Sequence, residues 1–464
     1  MKTVPVEVAG PSYKDRSNQL SNQKTQNMYL GPGRETKWCA YDFYGCKAFI
    51  TRAGTNRGFH VFNESLYQVA GNSLMLINSA GSVTVLGTIT GSQRCLFDDD
   101  GLNIFITTGN DVFKYNGTTV SLVTSANLET PNSVSYLNGF FLYDGDEGRF
   151  QASDSGDGGT INDLSVGVAN SNGDDIMRGI SHDQIIYWFG PRSIEPWYFS
   201  GSGDLPFERL EQGIIEIGLG ATYSIGENKD VMVFLGSDRQ FYKLSQSVAE
   251  PISTPAVREV EGFDTIYDAI GWCFVLETQQ FYWVTFPTES RTFLYSITLN
   301  YWVELSFGMN GERHLADAYA FCYGKHLIAD YRNGNIYELD KDTFTDNGEA
   351  RLRIRDMAPI TGGQLGIPGN RVICGRLQID MEVGVGLAVG QGVDPEIMCR
   401  YSNDGGKTFG AEEQVSIGVM GNYGKRVDFF KFVDGYSIVP RILCTDPVYL
   451  SLFAGFADIE DGGF

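Results

Sequence analysis

The sequence is poor in the residue types that most often build catalytic and metal centres. It contains only 4 histidines, and its 8 cysteines are scattered without a Cys-x-x-Cys pair. Zinc and redox sites need such ligands at short, recurring spacings. We therefore expect no catalytic residues, no metal site and no cofactor, and the chain is predicted not to be an enzyme.

Clusters of positive charge and long apolar runs are missing as well. Lys and Arg total 35 against 57 Asp and Glu, which gives a net charge of −22 with no basic block. Tight nucleic-acid binding depends on clustered cations, so specific DNA binding is not expected. No stretch resembles a signal peptide or a membrane span, and we expect no membrane insertion. Several cysteines lie in apolar, strand-like stretches, where a free thiol behaves as a small hydrophobic side chain. We therefore expect the cysteines to be reduced and the chain to fold in a cytosol.

Aromatic residues and glycine are abundant. The chain has 24 Tyr, 30 Phe and 56 Gly against 15 Pro, a composition typical of short strands joined by tight turns. In VMVFLGSDRQFYKL, residues 231–244, two apolar runs flank a Gly-Ser-Asp turn, which predicts a β-hairpin. Similar hairpins recur, with turns at Gly71, Gly109, Gly145, Gly190, Gly236, Thr278 and Gly334.

The spacing of these hairpins indicates the fold. Successive turns lie between 36 and 56 residues apart, and a repeat of roughly 40–50 residues with four strands is typical of a β-propeller blade. A closed ring of blades buries faces that a single blade would expose. We predict an all-β fold, a β-propeller of roughly six to eight blades with a C-terminal β-sandwich domain. Stacked sandwiches throughout are the alternative.

The hairpin repeat ends near residue 340, and the chain divides into three parts. Residues 1–32, rich in Asn, Gln, Ser and Lys, are predicted to form an extended N-terminal arm. Residues 33–349 hold the hairpin repeats and are predicted to form the propeller. Residues 350–464 open with an alternating strand pattern and are predicted to form the C-terminal sandwich.

One short motif also occurs in a class of enzymes. The segment SNDGGKTF matches the Asp-box of sialidases and other propeller glycosidases through Ser402, Asp404, Gly406, Thr408 and Phe409. The Ser and Asp side chains of such a motif satisfy turn amides while the aromatic ring packs beneath. We therefore predict a structural hairpin. A glycosidase acting on host-surface glycan is the enzymatic alternative, since that chemistry needs only two carboxylates.

The first part of the chain resembles the opening segment of the phage stabilisation family. In GPSYKDRSNQLSNQKTQNMYL, residues 10–30, the matching arm residues are Ser12, Tyr13, Arg16, Ser17, Asn27 and Tyr29. A central segment, residues 175–210, is similar to that family's Phe-Gly-x-x-x-Ile-Glu stretch through Phe189, Gly190, Ile194 and Glu195. The hairpin at residues 402–409 also resembles the family's C-terminal domain.

Members of this family include the tail hub, or nozzle, proteins of short-tailed phages, also called packaged-DNA stabilisation proteins. The resemblance implies a structural virion protein, made in the host cytoplasm and located in the tail. It would close the tail channel after DNA packaging and conduct DNA during ejection, without binding DNA specifically. The resemblance also implies a homohexamer that contacts the tail adaptor, a needle or plug, and tailspikes or fibres.

Two further questions stay open at the level of sequence. A receptor-binding tail protein is an alternative to the hub, because propellers offer broad faces for binding. The arm, residues 10–30, either fixes the chain to its neighbours or closes the edge of the propeller.

Overall fold

A computed structural model describes residues 1–16, 21–33, 36–210 and 213–463. Within these ranges the chain forms 43 strands and three short 3-10 helices, Asp146–Gly148, Pro255–Gly262 and Gly362–Leu365. None of these described helices has the length and apolar character that crossing a membrane requires. The N-terminal segment holds six strands: β1 (Lys2–Val6), β2 (Tyr13–Lys14), β3 (Asn22–Gln23), β4 (Thr25–Gln26), β5 (Met28–Pro32) and β6 (Trp38–Asp42).

Seven four-stranded units follow, in chain order except that β7 (Gly45–Ile50) belongs to the last of them. The first two units are β8 (Asn56–Phe62), β9 (Ser65–Ala70), β10 (Ser73–Ile77), β11 (Val83–Thr88), and β12 (Leu96–Asp99), β13 (Ile104–Thr107), β14 (Val112–Tyr115), β15 (Val120–Leu122). The third and fourth are β16 (Val134–Leu137), β17 (Phe140–Asp144), β18 (Arg149–Asp154), β19 (Asp157–Val168), and β20 (Arg178–His182), β21 (Ile185–Phe189), β22 (Ile194–Phe199), β23 (Phe207–Arg209).

The remaining units complete the series. The fifth and sixth are β24 (Gly226–Glu227), β25 (Met232–Leu235), β26 (Phe241–Ser245), β27 (Val248–Pro251), and β28 (Ile270–Leu276), β29 (Gln279–Phe286), β30 (Arg291–Ser296), β31 (Tyr301–Leu305). The seventh combines β7 with β32 (Ala316–Cys322), β33 (Lys325–Asp330) and β34 (Ile336–Asp340).

These units form a propeller, as the hairpin spacing predicts. Six of them are separate four-stranded sheets, and the unit β28–β31 is the start of a ten-stranded sheet. The ring closes where β32 packs against β8 and where β7 pairs with β34, with Cys46 opposite Leu339. Aromatic side chains fill the space between neighbouring units; the rings of Phe189 and Phe234, for example, lie 5.4 Å apart.

The predicted turns mark the middle of most units. Six of the seven join the second and third strands, as at Gly236 between β25 and β26. The turn at Thr278 instead joins the first and second strands, β28 and β29. Both of those strands are strongly apolar in sequence, as in residues 274–276 and 281–284, and this makes their turn resemble the others.

The C-terminal domain is a β-sandwich, as predicted. Its strands are β35 (Arg353–Asp356), β36 (Ile360–Thr361), β37 (Arg371–Met381), β38 (Glu396–Ser402), β39 (Glu413–Ser416), β40 (Val427–Phe429), β41 (Val433–Gly435), β42 (Ser437–Cys444) and β43 (Ser451–Gly463). In one sheet β35, β42, β38 and β39 are neighbours in that order. The other is built around the long antiparallel pair β37 and β43.

The N-terminal segment is part of both domains rather than a separate extended arm. Strand β1 pairs with β43, and β6 joins β5 to β43, so all three extend a sandwich sheet. Strand β4 lies between β31 of the propeller and β35 of the sandwich. The propeller therefore begins with β7 at Gly45 rather than at the predicted boundary, residue 33. Strand β7 then closes the ring by pairing with β34.

The two domains also share one hydrophobic core. A single cluster of buried side chains contains Val6 of the N-terminal segment, Trp283 and Leu294 of the propeller, and Leu377 and Ile459 of the sandwich. Separate domains in one chain usually meet through smaller and more polar surfaces. The continuous core and the continuous sheet therefore join the propeller and the sandwich into one body.

Candidate functional site

The clearest concentration of buried charge lies where the N-terminal segment meets the two domains. The sequence Arg-Leu-Arg-Ile-Arg at residues 351–355 alternates, so its three arginines point to one side of the chain while Leu352 and Ile354 point to the other. Arg351, Arg353 and Arg355 are each at most 1% exposed. Buried guanidinium groups are costly unless each charge is paired or hydrogen-bonded, and each of these three has such partners.

Two of these arginines share one carboxylate. Arg351 Nη2 donates to Asp42 Oδ1 over 2.7 Å, and Arg353 Nη1 donates to Asp42 Oδ2 over 2.8 Å. Arg353 also donates to the carbonyl oxygens of Val448, at 2.7 Å, and Asp446. Asp42 ends β6, so this cluster fastens the N-terminal strands to the start of the sandwich.

Arg355 is held chiefly by uncharged oxygens of the N-terminal segment. Its Nε donates to the carbonyl of Val8 over 2.7 Å, and its Nη1 donates to that of Gly10 over 2.8 Å. Its Nη2 donates to Gln23 Oε1 over 2.7 Å. Burial lowers the pKa of Arg355 to about 10, which leaves it charged at neutral pH. The guanidinium therefore ties the residues before β2 to strand β3.

Glu304 on β31 is the second charged centre of this junction. Its carboxylate lies 2.8 Å from Lys14 Nζ, 3.3 Å from Lys24 Nζ and 2.8 Å from Arg291 Nη2. Burial alone would raise the pKa of Glu304, but Lys24, Lys14 and Arg291 together lower it to about 2. Since both lysines belong to the N-terminal segment, this cluster ties that segment to the propeller.

The family-motif residues of the arm fall into two groups. Ser12, Asn27 and Tyr29 are buried, whereas Tyr13 and Arg16 are exposed. The remaining motif residue, Ser17, lies outside the described residues. The buried group makes hydrogen bonds within the chain: Ser12 Oγ accepts from the Thr25 amide over 3.0 Å, and the Tyr29 hydroxyl donates to Glu277 over 3.3 Å.

Asn27 links three parts of the chain through a single amide side chain. Its Oδ1 accepts from the Ser306 amide over 2.8 Å, and its Nδ2 donates to the Leu352 carbonyl over 2.9 Å. Its backbone has φ of 56°, in the left-handed region that asparagine tolerates better than most residues. This explains physically why an Asn is suited to that motif position.

The central family segment lies on the hairpin of β21 and β22. Phe189 ends the first strand, and Ile194 begins the second directly opposite it. Glu195 is buried, and its Oε1 accepts from the Ser171 amide over 2.6 Å. The residues of the central family segment therefore contribute to the structure of one propeller unit.

The Asp-box residues form a hydrogen-bonded turn between β38 and β39. Ser402 Oγ donates to Asp404 Oδ1 over 2.6 Å and accepts from the Gly406 amide over 2.8 Å. Asp404 also accepts from the Thr408 amide and hydroxyl, at 3.0 and 2.6 Å. Hydrogen bonds from Ser402 and Thr408 hold the pKa of Asp404 below its usual range. Beneath the turn, the Arg441 guanidinium carbon lies 3.7 Å from the centroid of the Phe409 ring.

We expect Asp404→Ala to lower the free energy of unfolding by about 1 kcal/mol, because several turn amides lose their acceptor. Urea denaturation measures the change. The matched control is Lys407→Ala, since the side chain of exposed Lys407 makes no hydrogen bond or ion pair within the part of the chain that the structure describes. Equal stability of Asp404→Ala and the wild type would contradict the turn-locking role.

One group of potential metal ligands occurs among the described residues: Cys46, His314 and Asp346, all buried. The Ala316 amide donates to His314 Nδ1 over 3.2 Å, and burial, aided by Arg351, lowers the pKa of His314 to about 3. The neutral ring therefore carries its proton on Nε2, which faces Cys46 Sγ at 3.7 Å. A metal ion on Nε2 would require the ring proton on Nδ1, which already accepts from the Ala316 amide, so this arrangement does not favour a metal site.

The sequence did not identify the buried charge clusters of the junction. The alternation at residues 351–355 predicted a strand, but buried arginines are rare and an exposed face was the ordinary expectation. Lys14 and Lys24 lie far from Glu304 in the chain, and nothing local connects them. The one available signal was that three arginines recur at every second position of a strand.

Comparisons with known proteins bear on both domains. A family model described as bacteriophage P22 Gp10, beta-propeller, matches residues 3–344, and one described as bacteriophage P22 Gp10, beta-sandwich, matches residues 364–460. No curated protein matches the chain.

The chain is also distantly similar to solved structures. One is the WD40 domain of Neurospora crassa Pan2, with 10% identity, coverage of 64% of this chain and 95% of that one, and a TM-score of 0.44. Another is BamB from Moraxella catarrhalis, with 11% identity, coverage of 73% and 98%, and a TM-score of 0.40. The two family models span most of the sequence, and the chain therefore belongs to the phage stabilisation family, the family of the phage structural protein P22 Gp10, as its motifs predict.

Proposed function

We propose that this phage structural protein is the tail hub, or nozzle, of a short-tailed phage. In this role it closes the tail channel after DNA packaging and conducts DNA during ejection. The observation that carries the proposal is the match to both the propeller and the sandwich models of one phage structural family. That membership also agrees with the prediction that the chain is not an enzyme.

The junction gives the chain a property that such a role needs. Packaged DNA exerts force on whatever closes the channel, and a plug with loosely connected domains would deform. Here a continuous sheet, a common core and the clusters around Asp42 and Glu304 connect propeller and sandwich. We infer that the chain transmits force as one unit.

The acidity of the chain supports the passage of DNA. A net charge of −22 makes the protein repel a polyanion. We propose that part of this charge lines the channel and limits sticking of DNA during ejection. The expected assembly is a homohexamer that contacts the adaptor, a needle or plug, and tailspikes or fibres. In the N-terminal segment, Tyr13 and Arg16 are exposed and available for such contacts.

A nonsense mutation in this gene tests the role in the phage itself. We expect heads that package DNA but lose it, with shortened tails, when particles from a non-suppressing host are examined by electron microscopy and nuclease protection. Growth in a suppressing host is the matched control. Stable, full particles that fail only to adsorb would instead favour a receptor-binding protein, and full particles that fail to degrade host glycan would favour a glycosidase.

A further inference from the structure

A cavity on the propeller side of the molecule is surrounded by residues that lie in, or just before, the first strand of several propeller units. Its volume is about 300 Å³, and His60, Arg94, Arg178, Tyr223 and Glu227 are among the residues that line it. An adjoining cavity of about 190 Å³ shares His60, Arg178 and Glu227. Because residues from six of the seven propeller units line the larger cavity, it lies at the centre of the ring.

Arg178 is a cation without a close counterion in this cavity. Its Nη1 donates to the Thr222 carbonyl over 3.2 Å. Arg178 is half-buried, and no carboxylate of the described residues lies within 4.0 Å of its guanidinium. Burial lowers the pKa of Arg178, because the longer-range attraction of Glu227 does not offset the loss of water. The guanidinium thus retains unused donors next to an open cavity.

Arg94 and Tyr223 line the same space. Arg94 lines the cavity, and its guanidinium lies 5.8 Å from the centroid of the Tyr223 ring. Arg94 is anchored by Asp317, with Nη1 and Oδ2 3.2 Å apart, and by the Asp317 carbonyl. The Tyr223 hydroxyl makes no hydrogen bond within the described ranges, and both arginines lie close enough to influence its pKa, which burial raises.

Each acidic group named here near the cavity has a partner of its own. Glu227 lies 3.7 Å from His182, and its carboxylate, by accepting a hydrogen bond from that histidine, raises the pKa of His182. His60 lies 2.8 Å from Asp99. In the adjoining cavity Asp98 accepts from the Tyr136 amide over 2.6 Å, and burial raises its pKa to about 6. Arg178 is therefore the group whose charge most lacks compensation.

We propose that this cavity binds a small oxyanion, a carboxylate or a phosphate group, between Arg178 and Arg94, with the Tyr223 hydroxyl as a further donor. Guanidinium groups bind both kinds of anion through paired N–H donors. The volume of about 300 Å³ has room for such a group together with several waters, since each water takes roughly 30 Å³. The anion would supply the negative charge that Arg178 lacks and would connect propeller units that are distant in sequence.

Isothermal titration of the purified full-length chain with inorganic phosphate, and separately with acetate, tests this site. We expect saturable binding of one anion per chain and at least tenfold weaker binding by Arg178→Gln. Tyr223→Phe should weaken binding by a smaller factor. The matched control is Arg192→Gln, since Arg192 is 74% exposed and lies outside the cavity. Binding of phosphate alone identifies a phosphate site, and binding of acetate alone identifies a carboxylate site.

Two results would overturn the proposal: absence of saturable binding by the wild type to either anion, and equal binding by wild type and Arg178→Gln. If Arg178→Gln does not fold, as judged by circular dichroism, Arg178→Lys replaces it. Lysine keeps the charge but lacks the planar pair of donors, so we expect at least threefold weaker binding. Wild-type affinity in Arg178→Lys, when Arg178→Gln does not fold, would also contradict the proposed geometry.

Discussion

Replacing Glu304 with glutamine is expected to lower the free energy of unfolding by about 3 kcal/mol at pH 7. The pKa of Glu304 is lowered from 4.5 to about 2 in the folded protein, and each unit corresponds to about 1.4 kcal/mol. Glutamine keeps the size but removes the charge, which leaves Lys14 and Arg291 with Glu259 as their remaining acidic neighbour and removes the carboxylate that pairs with Lys24.

The effect of this substitution depends on pH in a defined direction. Because folding lowers the pKa of Glu304, its contribution is complete above pH 4.5 and is lost as the pH falls from 4.5 to about 2. Wild type and Glu304→Gln should therefore converge in stability over that interval. Urea denaturation at several pH values measures this. The control is Glu216→Gln, because Glu216 is exposed and has no ion pair within the described residues. A constant difference across the pH range would contradict the assignment.

Replacing Arg353 with methionine is expected to cost about 3–5 kcal/mol, the usual penalty for breaking a buried ion pair. The change leaves Asp42 with Arg351 alone and removes the donors that bind the carbonyls of Val448 and Asp446. Because Asp42 belongs to the N-terminal strands, we also expect faster proteolysis before residue 42. The measurements are urea denaturation and limited proteolysis.

A double-mutant cycle separates the ion pair from general packing loss. Asp42→Asn and the combined Asp42→Asn, Arg353→Met variant complete the cycle. We expect the combined variant to be more stable than the sum of the two single changes by about 1–3 kcal/mol, as found for residues in direct contact. Strict additivity would show that Asp42 and Arg353 do not stabilise the protein through each other.

The propeller could be predicted from the sequence because its evidence is local. Each unit contains a hairpin whose apolar runs and turn lie within about 15 residues, as around Gly236, and the units recur along the chain. The Asp-box turn was predictable for the same reason, since its partners Ser402, Asp404 and Thr408 lie within seven residues. The family motifs added the expectation that the protein is part of a phage particle.

The course of the N-terminal segment could not be predicted, because its partners are distant in sequence. Strand β4 has two residues, too few for any periodic pattern, yet it joins β31 to β35. Its polar sequence suggested an extended arm, whereas Thr25 and Gln26 are buried and bonded to groups elsewhere in the chain. The cavity arginines were missed for a similar reason: Arg94 and Arg178 come from separate propeller units.

Cryo-electron microscopy of the intact phage particle tests the central claim most directly. The account predicts a closed ring of six copies of this chain around the tail channel, between the adaptor and the needle or plug, with acidic side chains on the channel wall. Absence of the chain from the channel, or its location only at the tips of fibres, would contradict a hub. A ring whose channel wall is basic would contradict the proposed role of the acidic charge.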